Sequence, residues 1–240
     1  MNKAGLVEIR PKVIFQQIEQ RFSQDNIMFH AAIPTSNIGG LTLLESAILV
    51  SLVKLSGATR IFEFGTYLGA TSLLLASNTS ADACITTLDL PPEEVEALEG
   101  DTGTAYLRDD KINDQYLRNN YRNKGALYID RATADIRQKI HRIHQNSLQL
   151  QPAERGFDGH FDFIFIDGGH EYGIVRSDTQ KALEMAQENA IIVWHDYRSN
   201  IHKDVTNFVD EFSRGQQVIH VQNTMLAIHF KGEFANLISA

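Results

Sequence analysis

Two polar clusters in the second half of the chain carry the residue types of acid–base or metal chemistry. The first, residues 167–172 (DGGHEY), follows the apolar run 161–166, and the second, residues 195–197 (HDY), follows the apolar run 191–194. Nearly continuous apolar runs are typical of strands buried in a parallel sheet, where neighbouring strands lie about 4.8 Å apart. The carboxyl ends of such strands share one edge, so we predict that the two clusters face each other across a cleft.

Two kinds of catalysis fit these clusters, and a third interpretation involves none. Asp167 and Asp196, together with His195, could hold a divalent ion such as Mg²⁺, which would lower the pKa of a bound hydroxyl group. Alternatively, His170 or His195 could act as a general base without a metal. The structural alternative is that Asp167 and His170 only cap the following helix. The catalytic candidates are therefore Asp167, His170 and His195.

A turn punctuated by glycines lies upstream of both clusters. Residues 60–64 read as a strand that runs directly into Gly65, and Gly69 follows before a predicted helix. Gly65 would let the backbone approach a ligand, and Gly69 would leave the start of the helix open. The spacing Gly-x-x-x-Gly differs from the Gly-x-Gly-x-x-Gly of dinucleotide sites, which disfavours NAD. The alternative is that the glycines only shape a tight turn.

Three carboxylates accompany this turn. Glu63 precedes it and could attract a cationic ligand; S-adenosylmethionine, with its ammonium and sulfonium groups, is one. Asp89 ends the next predicted strand, residues 83–88, at the distance where an acid accepts from ribose hydroxyls. Asp130, after a third predicted strand at 126–129, could accept from an adenine amino group or could be a cap or turn residue. Asp89 indicates an adenosine-type ligand but does not decide between NAD and S-adenosylmethionine, because sites for both use an acid at this position.

The strands and helices that must position these residues can be predicted from the alternation of apolar and helical segments in the sequence. From residue 60 onward, short apolar runs alternate with helical stretches, which is typical of a parallel sheet with covering helices. The runs 217–221 and 224–230 flank Gln222-Asn223 and predict an antiparallel pair. His141 and His144 are predicted to be surface residues on a helix.

Two segments fall outside this alternation. Residues 12–56 read as helices, with one apolar face containing Val13, Ile14 and Ile18, and we interpret 1–56 as a helical amino-terminal cap. Residues 91–124 are charged and rich in Asp and Asn, and we interpret them as an insertion. This insertion is either a lid over the ligand or a solvent-exposed segment that plays no part in the site. We expect residues 1–240 to form a single domain.

Composition narrows the function classes. The 240 residues are 43% hydrophobic, with no apolar run near the ~20 residues of a membrane span, so no membrane partner is expected. A net charge of -8 argues against a nucleic-acid partner, because phosphate binding needs a positive field. The lone Cys84 excludes an internal disulfide, and the first residues lack a secretory pattern, so we expect a cytoplasmic protein.

Four segments taken together resemble the class I S-adenosylmethionine-dependent methyltransferases: residues 60–72, 88–91, 161–172 and 191–197. More narrowly, they look like a bacterial small-molecule branch with DGxHxY and HDY signatures. The resemblance covers roughly residues 41–230. It implies an α/β fold with a Rossmann-like, seven-stranded, mostly parallel sheet, helices on both faces and an antiparallel carboxy-terminal strand.

The candidate cofactor-binding residues lie on or beside the predicted strand ends: Glu63, Gly65, Thr66, Tyr67, Gly69, Thr71, Ser72, Asp89, Asp130 and Asp167. Methyltransferases that resemble this chain and act on hydroxyl groups often bind their metal with two consecutive aspartates at the second position, where this chain has His195-Asp196. The resemblance therefore implies a metal-binding role more strongly for Asp167 and Asp196 than for His195. The leading hypothesis is methylation of a hydroxyl on a small-molecule acceptor, with N-methylation second. The alternatives are a non-catalytic module that binds an adenosyl ligand, and an NAD-dependent oxidoreductase. The apolar amino-terminal helices make a homodimer one alternative for the oligomeric state.

Overall fold

The computed structural model describes residues 4–23, 25, 27–31, 39–95, 107 and 109–238. The described strands are β1 (Gly5–Ile9), β2 (Arg60–Phe64), β3 (Cys84–Asp89), β4 (Ile140–His144), β5 (Phe161–Ile166), β6 (Ala186–Trp194), β7 (Gln217–Val221) and β8 (Ala227–Lys231). The described α-helices are α1 (Pro11–Arg21), α2 (Leu43–Ser56), α3 (Ala70–Ser77), α4 (Asp110–Lys124), α5 (Leu127–Asp130), α6 (Ala134–Arg137), α7 (Tyr172–Met185) and α8 (Lys203–Ser213). Short 3₁₀ turns lie at Pro92–Glu94, Ser147–Gln149, Ala153–Arg155 and Gly232–Asn236.

The strands form one twisted sheet in the order β1-β7-β8-β6-β5-β2-β3-β4. All neighbouring pairs are parallel except those of β8, which runs antiparallel to β6 and β7. In the central register, Phe64 lies opposite both Leu88 and Ile166, and Ile166 lies opposite Trp194. The residues that follow β2, β3, β5 and β6 therefore share one edge, as the sequence predicts.

Alternating side chains of the central strands build a core on each face of the sheet. Phe163 and Phe165 of β5 pack with α1, α2 and α3 on one face, whereas Ile164 and Ile166 pack with α7 and α8 on the other. Helix α2 is fixed at both ends, by a capping box between Thr42 and Glu45 and by a left-handed Gly57. The α/β fold with helices on both faces and an antiparallel strand near the carboxyl end is confirmed.

The predicted count of seven strands is wrong, because the sheet has eight. The additional strand is β1, which pairs in parallel with β7 at the edge of the sheet. Its five residues are mostly half-buried and too few to give a strong periodic signal. It lies inside the segment 1–56, whose helical interpretation holds for α1 and α2.

The predicted strand at 126–129 is also wrong, because most of it forms α5. Its apolar residues pack on the glycine turn, where Ile129 lies against Gly69. The third parallel strand is instead β4, which contains His141 and His144, predicted to lie on a helix. As the other edge strand, β4 exposes both histidines, so their surface position is confirmed while their helix is not.

The domain description of residues 1–240 as one unit, with a cap at 1–56 and an insertion or lid at 91–124, stays a prediction. Residues 96–106 and 108 of that insertion lie outside the described residues. Its described part contains α4, which the sequence did not predict. Across the described ranges, no helix combines the length and apolar character needed to cross a membrane.

Candidate cofactor and acceptor site

A cavity of about 650 Å³ lies at the carboxyl edge of the sheet. Its walls come from the residues that follow β2, β3, β5 and β6, and from one side of α4. Asp89 lines one part of it, and Asp167, His170, His195 and Asp196 line another. One cavity therefore joins the two groups of residues that the sequence singled out.

The glycine turn is shaped by contacts within the protein. Gly65 has φ +93°, and a Cβ there would lie 2.0 Å from the carbonyl oxygen of Asp167. Gly69 has φ +80°, and a Cβ there would lie 2.5 Å from Cγ1 of Ile129. Both glycines are thus explained by backbone conformation and close packing, so neither one by itself indicates a ligand.

Glu63, Thr66 and Ser72 lie beneath the turn, buried from solvent. The Ser72 hydroxyl donates a hydrogen bond to Glu63, and the hydroxyls of Thr66 and Thr87 are 2.7 Å apart. Burial raises the pKa of Glu63 to about 8, so this carboxyl is largely protonated at neutral pH. These side chains therefore support the turn from below.

Asp89 is held by the backbone at the rim of the cavity. Its Oδ2 accepts from the N–H of Tyr67 at 2.7 Å and its Oδ1 from the N–H of Leu90 at 2.8 Å. Burial raises the pKa of Asp89. Each carboxylate oxygen has a second lone pair, so Asp89 keeps the capacity to accept from two further hydroxyls.

The acid and imidazole groups after β5 and β6 form a continuous network. Nδ1 of His195 lies 3.1 Å from Oδ1 of Asp167 and 3.3 Å from Oδ2 of Asp196. Burial alone would lower the pKa of His195, but the two carboxylates raise it well above its ordinary value. Burial would raise the pKa of Asp196, but the two histidines beside it, chiefly His195, hold it well below the ordinary value.

His170 lies between carboxylates of different segments. Its Nδ1 is 2.6 Å from Oδ1 of Asp114 in α4, and its Nε2 is 3.1 Å from Oδ2 of Asp196. These acids overcome the effect of burial and raise the pKa of His170 to about 10. Neither His170 nor Asp167 caps α7, whose first backbone N–H, at Tyr172, donates to Asp204. The interpretation of these residues as helix caps is therefore wrong.

The sequence of the central part of the chain matches a known protein family. Residues 62–197, more than half of the chain, match the sequence profile of the family described as "Methyltransferase domain". The chain belongs to this methyltransferase family. A Mycobacterium leprae relative with an O-methyltransferase name is 36% identical over 86 residues, which is 35% of this chain and 38% of the relative. This methyltransferase chain thus spans well under two thirds of that relative.

Solved structures share the fold at low identity. The O-methyltransferase from Bacillus cereus in complex with S-adenosylhomocysteine is 17% identical, with a TM-score of 0.52 over 92% of this chain and 91% of that one. The O-methyltransferase TomG from Streptomyces achromogenes, in complex with S-adenosylmethionine, is 14% identical, with a TM-score of 0.50 over 92% and 90% of the two chains. At this identity the likeness shows the fold of the methyltransferase, not its substrates.

Asp130 does not lie where its predicted role requires. In this methyltransferase it ends α5 and pairs with Arg142 at 3.2 Å, with about half of its side chain exposed. Among the described residues that line the cavity, the position after the third parallel strand is held by Gln145 and Asn146. Thr71 lines a neighbouring cavity of about 370 Å³.

Sequence reasoning missed further residues of the site. Glu45 of α2 lies 3.7 Å from His195, and its other oxygen accepts from the N–H of Met225 at 2.8 Å. Burial would raise its pKa, but His195 and two backbone N–H groups lower it to about 2. Asp178 of α7 lines the cavity, and burial raises its pKa to about 7. The available signal in the sequence was an acid in the first turn of a largely apolar helix, as at Glu45.

Proposed function

We propose that this protein transfers the methyl group of S-adenosylmethionine to a hydroxyl of a small-molecule acceptor, within the bacterial branch that carries the DGxHxY and HDY signatures. The observation that carries the proposal is the single cavity shared by Asp89 and the Asp167–Asp196 network. A volume of about 650 Å³ suits two small molecules side by side rather than a polymer. The name of the Mycobacterium leprae relative and the ligands of the structural neighbours support the same reaction.

On the cofactor side, we assign the ribose hydroxyls to Asp89 and the adenine to Gln145 and Asn146. Asp89 is oriented by two backbone N–H groups, so its free lone pairs are preorganised to accept from adjacent hydroxyls. Side-chain amides can both donate hydrogen bonds to the edge of the adenine ring and accept hydrogen bonds from it. Asp130, which the sequence predicted for this role, does not line the cavity. The carboxylate of Asp167 at the glycine turn complements the positive charge of the cofactor.

The acceptor side favours a metal over a histidine base. Because flanking carboxylates raise the pKa of His170 to about 10 and that of His195 well above its ordinary value, neither is poised to accept a proton near neutral pH. Asp167 and Asp196 offer carboxylate oxygens as ligand atoms within 4.8 Å of each other, and His195 lies beside both acids. This donor set fits a divalent ion, which when bound would lower the pKa of the acceptor hydroxyl.

The residues of the chain then orient the reaction. When bound, S-adenosylmethionine would supply an electrophilic methyl group, with S-adenosylhomocysteine as the leaving group and the proton of the acceptor hydroxyl released to solvent. Asp167 and Asp196 hold negative charge beside the acceptor, and His195 is fixed between Asp167 and Glu45. Much of the acceleration comes from holding oxygen and methyl carbon in line in a shared cavity.

The decisive experiment is calorimetric titration with S-adenosylhomocysteine of the wild type, Asp89→Asn and Asp130→Asn. We expect Asp89→Asn to weaken binding by roughly 10- to 100-fold, because hydrogen bonds to a charged group contribute about 1.5–3 kcal/mol. Asp130→Asn is the matched control, since Asp130 pairs with Arg142 outside the cavity, and should bind like the wild type. Equal affinity in both variants would overturn the cofactor assignment.

A transfer assay separates the remaining alternatives. Deuterated S-adenosylmethionine, supplied with Mg²⁺ and a library of hydroxyl and amine acceptors, should label a hydroxyl. Binding of S-adenosylhomocysteine without transfer to any acceptor would favour the non-catalytic adenosyl-binding module. A melting temperature raised by NAD but not by S-adenosylhomocysteine would favour the oxidoreductase.

A further inference from the structure

A second group of metal-ligating side chains lies beside the methyl-transfer network. Four residues from three separate segments offer ligand atoms that all lie within 4.8 Å of one another: Asp110, Asp114, His170 and His202. We call this group the α4 cluster. We propose that the α4 cluster binds a zinc ion that fixes α4 to the carboxyl edge of the sheet.

The geometry of the α4 cluster suits a single ion. Asp110 and Asp114 are four positions apart on α4, so they share one face of the helix. Nδ1 of His202 lies 2.6 Å from Oδ1 of Asp110, and Nδ1 of His170 lies 2.6 Å from Oδ1 of Asp114. Neighbouring ligand atoms of a tetrahedral zinc ion, with bonds of about 2.0 Å, are roughly 3.3 Å apart, so each hydrogen-bonded Asp–His pair would separate slightly as the ion replaces the shared proton.

The chemistry of the donors selects the metal. Two imidazole nitrogens and two carboxylate oxygens form a mixed set that suits zinc, whereas magnesium and calcium prefer sites made of oxygen alone. Both histidines are buried, and their ring centroids lie 3.6 Å apart with 22° between the ring planes, so one imidazole has to rotate for both Nδ1 lone pairs to meet one ion. One dication between the rings and the acids would satisfy all four groups without placing a proton on Nδ1 of each ring.

The outer contacts of His170 provide an independent observation. A histidine that ligates a metal almost always donates its other ring N–H to a carboxylate or carbonyl. Nε2 of His170 lies 3.1 Å from Oδ2 of Asp196. With Nδ1 on the ion, His170 would donate from Nε2 to Asp196 and so orient a carboxylate of the acceptor side.

The consequence is a fixed wall for the cavity. Helix α4 contributes Asn113, Leu117 and Tyr121 to the lining, and the zinc ion would tie this helix to the loops after β5 and before α8. Zinc binding in this structural role does not require the proposed methyl transfer to take place. Its test therefore uses metal binding, which does not depend on the enzyme being active.

The test is zinc titration of the chelator-treated full-length protein, with zinc content measured by mass spectrometry. We expect one zinc per chain, and Asp110→Asn and His202→Ala each to weaken zinc binding by roughly 100-fold or more, since even residues that only orient ligands contribute 10- to 100-fold. Asp109→Asn is the matched control: Asp109 caps the same helix, and Asn caps equally well. Asp167→Asn should also retain zinc, which separates this site from the acceptor-side metal.

A spectroscopic variant guards against effects of misfolding. In Asp110→Cys loaded with Co²⁺, we expect a thiolate-to-cobalt charge-transfer band that is absent from Asp109→Cys. No zinc bound by the wild type at micromolar concentrations would overturn the proposal and leave two hydrogen-bonded Asp–His pairs. Undiminished zinc binding in Asp110→Asn and His202→Ala, or a Co²⁺ spectrum of Asp110→Cys without a thiolate band, would overturn it equally.

Discussion

The cofactor side and the acceptor side of the cavity are built in different ways. On the cofactor side, Asp89 is held by a backbone N–H only 22 positions away in sequence, at Tyr67. On the acceptor side, Asp114 and His170 are 56 positions apart, and Glu45 is 180 positions from the N–H it accepts from. The first is a local strand–turn–helix device, whereas the second is assembled by side chains from distant segments. Substitutions on the two sides should therefore fail in different ways.

The largest effect is expected on the acceptor side. Asp196→Asn removes a negative charge next to His170 and His195 and should lower kcat for methyl transfer by roughly 10²- to 10³-fold, because one preorganised electrostatic contact in an active site contributes about that factor. Asn tolerates the φ of +59° at this position, so the backbone should be preserved. Binding of S-adenosylhomocysteine should change little.

The matched control for Asp196→Asn is Asp158→Asn, at an exposed acid before β5. The single-turnover rate of Asp158→Asn should equal that of the wild type, so the two variants should differ by the full decrease expected for Asp196→Asn. Equal rates would mean that the charge of Asp196 plays no part in the reaction, and the acceptor side would lose its distinct role.

On the cofactor side the expected failure is structural. Gly65→Ala forces a Cβ to within 2.0 Å of the Asp167 carbonyl oxygen at a φ of +93°. Overpacking and strain should together lower the free energy of unfolding by about 3 kcal/mol or more. Thermal unfolding should show a drop in Tm of roughly 6–12 °C.

Gly173→Ala is the control for that substitution. Gly173 lies in α7, has no φ in the left-handed region, and an added Cβ would meet nothing within 4 Å. Ala in the first turn of this helix should then leave the Tm unchanged or raise it. A Gly65→Ala protein as stable as Gly173→Ala would show that the turn tolerates a side chain.

The smallest expected effect concerns the support beneath the turn. Burial raises the pKa of Glu63 from its ordinary value of 4.5 to about 8. The folded state thus binds this proton more tightly than the unfolded state. Its contribution to stability is complete below about pH 4.5 and is lost as the pH rises through about 8.

Glu63→Gln should abolish this dependence. Between pH 5 and 8, the free energy of unfolding should fall with rising pH in both proteins. The slope of the wild type should be steeper than that of Glu63→Gln by about 1 kcal/mol per pH unit. Urea unfolding across this range measures the slope, and Glu154→Gln, at an exposed site, is the control. Parallel slopes in the wild type and Glu63→Gln would mean that Glu63 is ionised when folded.

Most strands of the sheet could be predicted from the sequence because buried strands consist of continuous apolar runs. The predicted bounds of β2, β5 and β7 are those observed, and β3, β6 and β8 overlap their predictions. The two edge strands were missed for different reasons: β1 is only five residues long and mostly half-buried, whereas β4 carries exposed polar residues that interrupt the apolar run. Parallel pairing then places the residues after each central strand at one edge, so the location of the site followed from sequence.

By itself, the sequence determined the α/β fold class, the shared edge that holds Asp89, Asp167 and Asp196, and the glycine turn between strand and helix. Each of these depends on residues close together in the chain and on rules common to parallel sheets. Only the tertiary structure decided that Glu45, Asp114 and His202 join the site, and that Asp130 does not line the cavity. An acid on a helix looks the same in sequence whether it faces solvent or a buried imidazole, because its partner comes from packing between distant segments.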